Sequence, residues 1–229
     1  MFTGIVEEIG RIEGIERGGK SLSLSVHCPF AAELENGESV AVNGTCLTVT
    51  EKSDSVFHAD VTPETFRRTS LSELSVGSSV NLERAMKADG RFGGHIVSGH
   101  IDGTGRFVGA QNEENAVNVT ISADKSLGRY IIEKGSVCID GISLTVASVS
   151  YSENVVFTVA VIPHTWKNTT LSEKNSGSLV NIECDIVGKY IEHFVNFGST
   201  SGNSENAGEN SAEDSEALAE MMTNFTSFH

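Results

Sequence analysis

The sequence predicts an all-β protein written twice, each half a β-sandwich or a small closed barrel, followed by a C-terminal helix. Three observations carry this. Short runs alternate apolar and polar residues between Gly, Asn, Asp and Ser, the pattern of half-buried antiparallel strands. The stretch VTPETFRRTSLSELSVGSSVNLE (61–83) aligns without gaps to VIPHTWKNTTLSEKNSGSLVNIE (161–183), with twelve of twenty-three positions identical. After Asp185 the apolar period lengthens from two to about 3.6 residues.

The elements follow in order. FTGIVEEIGRI (2–12) is echoed by VSGHIDGTGRF (97–107). SLSLSVHC (21–28) alternates as a strand does. SVAVNGTCLTVT (39–50) returns 97 positions later as SVCIDGISLTVA (136–147). SVFHADVT (55–62) and SVNLERAM (79–86) complete the first set of strands. The offset between copies drifts from 95 to 97 to 100, as small loop insertions produce. A period of that length suits a small domain rather than a solenoid unit. The expected division is residues 1–88 and 97–184, joined by a short Gly-rich segment. TPETFRRTSLSEL and IPHTWKNTTLSEK are each expected to hold a helical turn after Pro63 and Pro163.

The helix expected over 185–197 places Ile186, Val187, Tyr190, Ile191, Phe194 and Val195 on one stripe, which calls for a packing partner such as another copy of the chain. Residues 198–215 read as a flexible linker of Gly, Ser, Asn and Glu. EALAEMMTNFTSF beyond it reads as a weak final helix.

Charge and composition exclude several functions. A net charge of −15 argues against nucleic-acid binding through phosphate neutralisation and against an anionic membrane surface. The last thirty-two residues carry six acidic groups and no Lys or Arg, so the body is less acidic than the total suggests. No apolar run approaches the ~20 residues that span a bilayer. MFTGIVEEIG lacks the features of a secretory signal, so a cytoplasmic protein with reduced thiols is expected. Cys28, Cys46, Cys138 and Cys184 lack the paired spacing of a zinc site, and no metal is expected.

Candidate chemistry lies in the repeated hairpin. Asn43-Gly44 between alternating residues signals a two-residue type I′ turn. In that register Val42 pairs with Thr45, Ala41 with Cys46, Val40 with Leu47 and Ser39 with Thr48. Ser39, Ala41, Cys46 and Thr48 then share one face. In the second copy Ser136, Cys138, Ser143 and Thr145 do the same. A solvated face normally carries long polar side chains. Small hydroxyls and thiols instead leave room for a ligand and supply donors to its edges.

GGHIVSGHID (93–102) adds His95 and His100. Their spacing of five puts them on opposite faces of a continuous strand, against joint metal ligation, while either could carry a proton near neutral pH. GTGRFVG (103–109) has the wrong glycine spacing for a dinucleotide site.

MFTGIVE, NGTCLTVT, GGHIVSGHID and DGISLTV, in this order, resemble the riboflavin synthase family over about residues 1–195. The resemblance implies two Greek-key six-stranded β-barrels and a C-terminal helix that brings three chains together. It implies a transferase without cofactor: two molecules of 6,7-dimethyl-8-ribityllumazine exchange four carbons, giving riboflavin and 5-amino-6-(ribitylamino)pyrimidine-2,4-dione. Two lumazines then share a site between the N-terminal barrel of one chain and the C-terminal barrel of its neighbour. Carried over by position, Ser39, Cys46, His100 and Asp185 are the catalytic candidates, with Asp185 also placed to cap a helix. Thr48, Thr62, Thr65, Ser143, Thr145, Ile162 and Thr165 are the substrate-binding candidates. The acidic tail 198–229 departs from the family in length and composition, and two roles stay open for it: solvation, or contact with a partner such as lumazine synthase. The rival reading is a lumazine- or flavin-binding fluorescent antenna protein, a relative that resembles the family without turnover.

Overall fold

The computed structural model describes residues 1–18 and 21–200. Among them, twelve strands form two closed antiparallel barrels of six strands each. The first comprises β1 (Glu8–Gly18), β2 (Ser21–His27), β3 (Ser39–Val42), β4 (Thr45–Lys52), β5 (Val56–Val61) and β6 (Ser79–Arg84). The second comprises β7 (Gly103–Glu113), β8 (Ala116–Asp124), β9 (Ser136–Ile139), β10 (Ile142–Tyr151), β11 (Asn154–Val161) and β12 (Leu179–Cys184). Around the first barrel the order is β1-β2-β5-β4-β3-β6, so that β2 pairs with β5 over the β3–β4–β5 meander, a Greek key. The second repeats this connectivity.

The repeat explains why both halves close alike. Val40 and Val137, Phe57 and Phe157, Leu71 and Leu171, and Leu82 and Ile182 occupy matching buried positions in two separate cores. Each such side chain contributes ~1.5–3 kcal/mol on burial. A register shift between Val49 and Glu51 recurs between Val146 and Ser148, and one between Ile12 and Gly14 recurs between Phe107 and Gly109. Such bulges bend the strands enough to let a short sheet close on itself.

The expected hairpin is present with the expected register: Ser39 opposite Thr48, Val40 opposite Leu47, Ala41 opposite Cys46 and Val42 opposite Thr45. Asn43 and Gly44 both have positive φ (46° and 76°), as do Asp140 and Gly141 (45° and 81°), which a type I′ turn requires. The helical turns are α1 (Pro63–Arg68) and α2 (Pro163–Lys167), each followed by a 3-10 turn, with proline at the first helical position rather than before it.

The two hairpin tips meet where the barrels join, and a reciprocal amide network seals the joint. Asn81 Nδ2 donates to the Asp140 carbonyl and Asn181 Nδ2 to the Asn43 carbonyl, both at 2.8 Å. The Oδ1 of Asn181 accepts from the Ser70 N–H and that of Asn81 from the Thr170 N–H. Every one of these groups is buried, so each bond fills a demand that water cannot. One asymmetry stands out. The first half has Asn43 and Leu74 where the second has Asp140 and Lys174, and the latter form an ion pair at 2.7 Å. Burial still holds the Asp140 carboxyl above its usual range, with Lys174 opposing.

The segment 94–100 corrects one expectation. It is not a continuous strand: its one bridge is Val97 to Phe2, with irregular backbone on either side. The C-terminal helix, α3 (Ile186–Thr200), runs three residues past the expected end at 197. The linker reading beyond 200 and the final-helix reading lie outside the described residues. Among the described residues no helix is long and apolar enough to cross a membrane.

Candidate active site

Each barrel carries a pocket beside its hairpin, walled by a segment from the start of a sequence repeat. On the first barrel, Thr45 and Cys46 from β4, Glu64, Thr65, Arg68 and Thr69 around α1, and Gly99, His100 and Ile101 enclose a cavity of about 210 Å³. The Cys46 N–H donates to the Gly99 carbonyl at 2.9 Å, which fixes the 98–101 wall against the thiol's own strand. Gly99 has φ 83°, and a Cβ there would lie 2.5 Å from the Cys46 Cβ. Only glycine suits that position.

On the second barrel, Gly4, Ile5 and Val6 form the wall over Ile142, Ser143, His164, Thr165, Asn168 and Thr169, around a cavity of about 100 Å³. The Ser143 N–H donates to the Gly4 carbonyl at 2.7 Å, matching the Cys46–Gly99 bond. Gly4 has φ 75° and is as tightly packed, with Ser143 Cβ 2.7 Å from where its own would stand. The faint echo between residues 2–12 and 97–107 thus marks two equivalent walls.

The walls differ in chemistry. Where the first pocket has His100, the second has Ile5, and where the first has Cys46, the second has Ser143. Ser143 is served by a different histidine: its Oγ lies 2.7 Å from His95 Nδ1. Burial lowers the His95 pKa, while the carboxylates of Asp185 and Glu183 act to raise it. The other three cysteines are buried, and burial pushes the thiols of Cys28 and Cys184 up to about 12 and that of Cys138 well above the usual value. Cys46 is therefore the accessible thiol among the described residues.

Of the residues singled out from sequence, Cys46, Thr65 and His100 line the first pocket together, and Ser143 and Thr165 the second. Ser39 and Thr48 face each other across β3 and β4, at the end of the hairpin away from its turn, and Thr145 pairs with Ser136 in the same place on the second barrel. Thr62 caps α1 by accepting the Thr65 N–H, and its Oγ1 lies 2.9 Å from that of Thr65. Ile162 precedes α2 and is solvent-exposed. Asp185 accepts the Val187 N–H at the start of α3, the capping role foreseen for it, and its charge falls on His95.

A family model of the lumazine binding domain matches the chain twice, at residues 3–85 and 98–185. A riboflavin synthase of Actinobacillus pleuropneumoniae is 52% identical over 196 residues, covering 85% of this chain and 90% of that one. One of Bacillus subtilis (strain 168) is 48% identical over the same share of each. The chain belongs to the riboflavin synthase family.

Among solved structures, LumP complexed with 6,7-dimethyl-8-(1'-D-ribityl) lumazine superposes with a TM-score of 0.71 at 27% identity, over 80% of this chain and 99% of that one. LumP complexed with riboflavin gives 0.72 at the same identity and coverage. The two matched segments of this riboflavin synthase family member coincide with the two barrels, so each pocket has its floor on one copy of the domain and its wall from the other.

Arg68 and Glu64 in the first pocket and His164 in the second are lining residues beyond those the sequence motifs single out. Glu83 and Glu183 belong to no such motif either, and their identity within the gapless repeat is the one sequence signal that they share a task.

Proposed function

We propose that the chain is a riboflavin synthase: it converts two molecules of 6,7-dimethyl-8-ribityllumazine into riboflavin and 5-amino-6-(ribitylamino)pyrimidine-2,4-dione. The observation that carries this reading is the pair of equivalent pockets, one bearing Cys46 and His100 and the other Ser143, whose Oγ meets His95 from behind the lining. A dismutation needs one compound bound twice in two chemical roles. Two copies of one pocket, altered at the reacting edge, suit that need. The curated relatives at 45–52% identity bear the same name.

The reaction balances without a cofactor. One lumazine gives up a four-carbon unit and leaves as the pyrimidinedione; the other accepts it and becomes riboflavin, the four transferred carbons closing the aromatic third ring with the acceptor's own C6, C7 and their methyl groups. The 7-methyl protons of the acceptor are acidic because the carbanion delocalises into the heterocycle. We assign His100 as the base that takes one of them, with Cys46 and Ser39 offering a thiol and a hydroxyl at the N-terminal barrel. Asp185 completes the catalytic set. Thr48, Thr62 and Thr65 on one barrel and Ser143, Thr145, Ile162 and Thr165 on the other are assigned to substrate binding. Holding both lumazines together turns a bimolecular encounter into a unimolecular one, worth ~7–11 kcal/mol when alignment is good.

The reading includes a cytoplasmic homotrimer, with a site between the N-terminal barrel (1–88) of one chain and the C-terminal barrel (97–184) of the next. The trimer is supported by α3, on which Val187, Tyr190, Ile191, Phe194 and Val195 are all more than half exposed in the single chain. The acidic tail takes no part in turnover and is free to contact lumazine synthase, the supplier of substrate. The test is incubation of the purified protein with 6,7-dimethyl-8-ribityllumazine alone. Riboflavin and the pyrimidinedione in equal amounts support the reading. Tight binding with no product would make the chain a lumazine-binding antenna protein without turnover.

A further inference from the structure

Glu83 and Glu183 are almost fully buried carboxylates (5% and 1% exposed), and among the described residues neither is paired with a Lys or Arg. Glu83 stands on β6 of the first barrel. Its Oε1 accepts from the Thr3 N–H at 2.7 Å and the Thr3 hydroxyl at 3.0 Å, and its Oε2 from the Gly4 N–H at 3.1 Å. Glu183 stands on β12 of the second barrel. Its Oε1 accepts from the Ser98 N–H at 2.6 Å and the Ser98 hydroxyl at 2.7 Å, and its Oε2 from the Gly99 N–H at 2.9 Å. The two sets of three bonds are the same, donor for donor.

The connection is crossed. Residues 3–4, held by the first barrel's carboxylate, pass their next carbonyl to Ser143 of the second barrel and wall the second pocket. Residues 98–99, held by the second barrel's carboxylate, pass theirs to Cys46 of the first barrel and wall the first pocket. Phe2 and Val97 exchange backbone hydrogen bonds at 2.8 and 3.1 Å where the two segments pass. A carboxylate suits the task because it presents only acceptors, through two oxygens, to a cluster of donors. Burying such a charge without a counter-ion is expensive, and the cost is offset only by complete hydrogen bonding.

We propose that Glu83 and Glu183 are positioning residues acting across the barrel joint: Glu183 sets the wall that carries His100 over Cys46, and Glu83 sets the wall over Ser143. Each pocket of the chain is thereby built by both barrels. This rests on the pockets being the lumazine sites, but the placement of the walls is testable without turnover.

The test uses Glu183→Gln and Glu83→Gln in the full chain, with alkylation of Cys46 by iodoacetamide as the readout. A glutamine puts a donor where one of the three N–H or O–H groups needs an acceptor, so the wall loosens without a change in side-chain size. Glu183→Gln is expected to raise the Cys46 alkylation rate about tenfold, the equivalent of one lost buried hydrogen bond, with Glu83→Gln unchanged within about twofold. In a Ser143→Cys background the pattern at position 143 reverses. Ser98→Ala and Thr3→Ala, which each remove one bond of three, give the same crossed pattern at smaller amplitude and serve if a glutamine variant fails to fold. Equal effects of both variants on Cys46, an effect from Glu83 alone, or none from either would overturn the proposal. A crossed pattern in a protein that forms no riboflavin would keep the clamp and discard the catalytic reading.

Discussion

Gly44 and Gly141 stand back to back at the barrel joint. A Cβ on Gly44 would lie 2.7 Å from the Gly141 nitrogen, and one on Gly141 would lie 2.8 Å from the Gly44 nitrogen. Their positive φ makes each turn possible, and their missing side chains let the two turns touch. Gly44→Ala should therefore lose ~2–4 kcal/mol in urea unfolding, from left-handed strain plus overpacking at the joint. Gly37→Ala is the control: φ is 92° but nothing lies within 4 Å, so strain alone applies, at ~1–2 kcal/mol.

The Asp140–Lys174 pair makes a second prediction. Asp140 is fully buried and Lys174 partly so, and the 2.7 Å approach to Oδ2 is ionic in geometry rather than a well-aligned hydrogen bond. Lys174→Leu leaves the carboxylate uncompensated and should cost ~3–5 kcal/mol in chemical denaturation. Asp140→Asn combined with Lys174→Leu copies the first half, which has Asn43 and Leu74 at these positions, and should recover most of that loss. A double variant as unstable as the single one would show that the pair does more than neutralise itself.

His95 gives a pH dependence of defined sign. Its folded pKa is depressed below 6.5 by burial, so the unfolded chain binds the proton more readily. Its contribution to stability is thus complete above pH 6.5 and declines as the pH falls below it, until the folded-state value is passed. Glu83, raised above 4.5 by burial, has the opposite sign: stability falls as pH rises through its window. Comparison of wild type with His95→Asn by thermal melts isolates the histidine. The variant should lose less stability than wild type between pH 6.5 and 5, and a steeper loss would contradict the assignment.

His100→Gln should lower kcat by about 10²–10⁴-fold, the range for loss of a general base, with riboflavin binding retained. Deletion of residues 200–229 should leave kcat and KM within about twofold, because the described lining of both pockets lies within residues 4–169. Steady-state kinetics on 6,7-dimethyl-8-ribityllumazine measures both.

Much of the fold was legible because the sequence states it twice. The Asn43-Gly44 signal gave the hairpin register to the residue, and the gapless repeat gave the second copy without a separate argument. The site was legible in part. Cys46, Thr65 and His100 were named from sequence and share a pocket, but Ser39 and Asp185 lie on other elements of the chain. What escaped was long-range. Nothing in the spacing of Glu183 and Cys46 shows that residues 98–99 join them, because that link runs through backbone carbonyls and crosses from one barrel to the other. His95 and His100 read as one motif, yet across the irregular backbone around Val97 His100 lines the first pocket while His95 meets the Ser143 hydroxyl.

The most direct measurement is subunit complementation. A chain disabled in its first pocket by Cys46→Ser with His100→Gln is co-expressed, in equal amounts, with a chain disabled in its second pocket by Ser143→Ala with Thr165→Ala. If each site joins pockets from neighbouring chains of a closed ring, random mixing restores about a quarter of wild-type riboflavin formation, because one interface in four unites two intact pockets. A mixture no more active than its parents would contradict the account, and would mean that turnover does not join the first pocket of one chain to the second pocket of another.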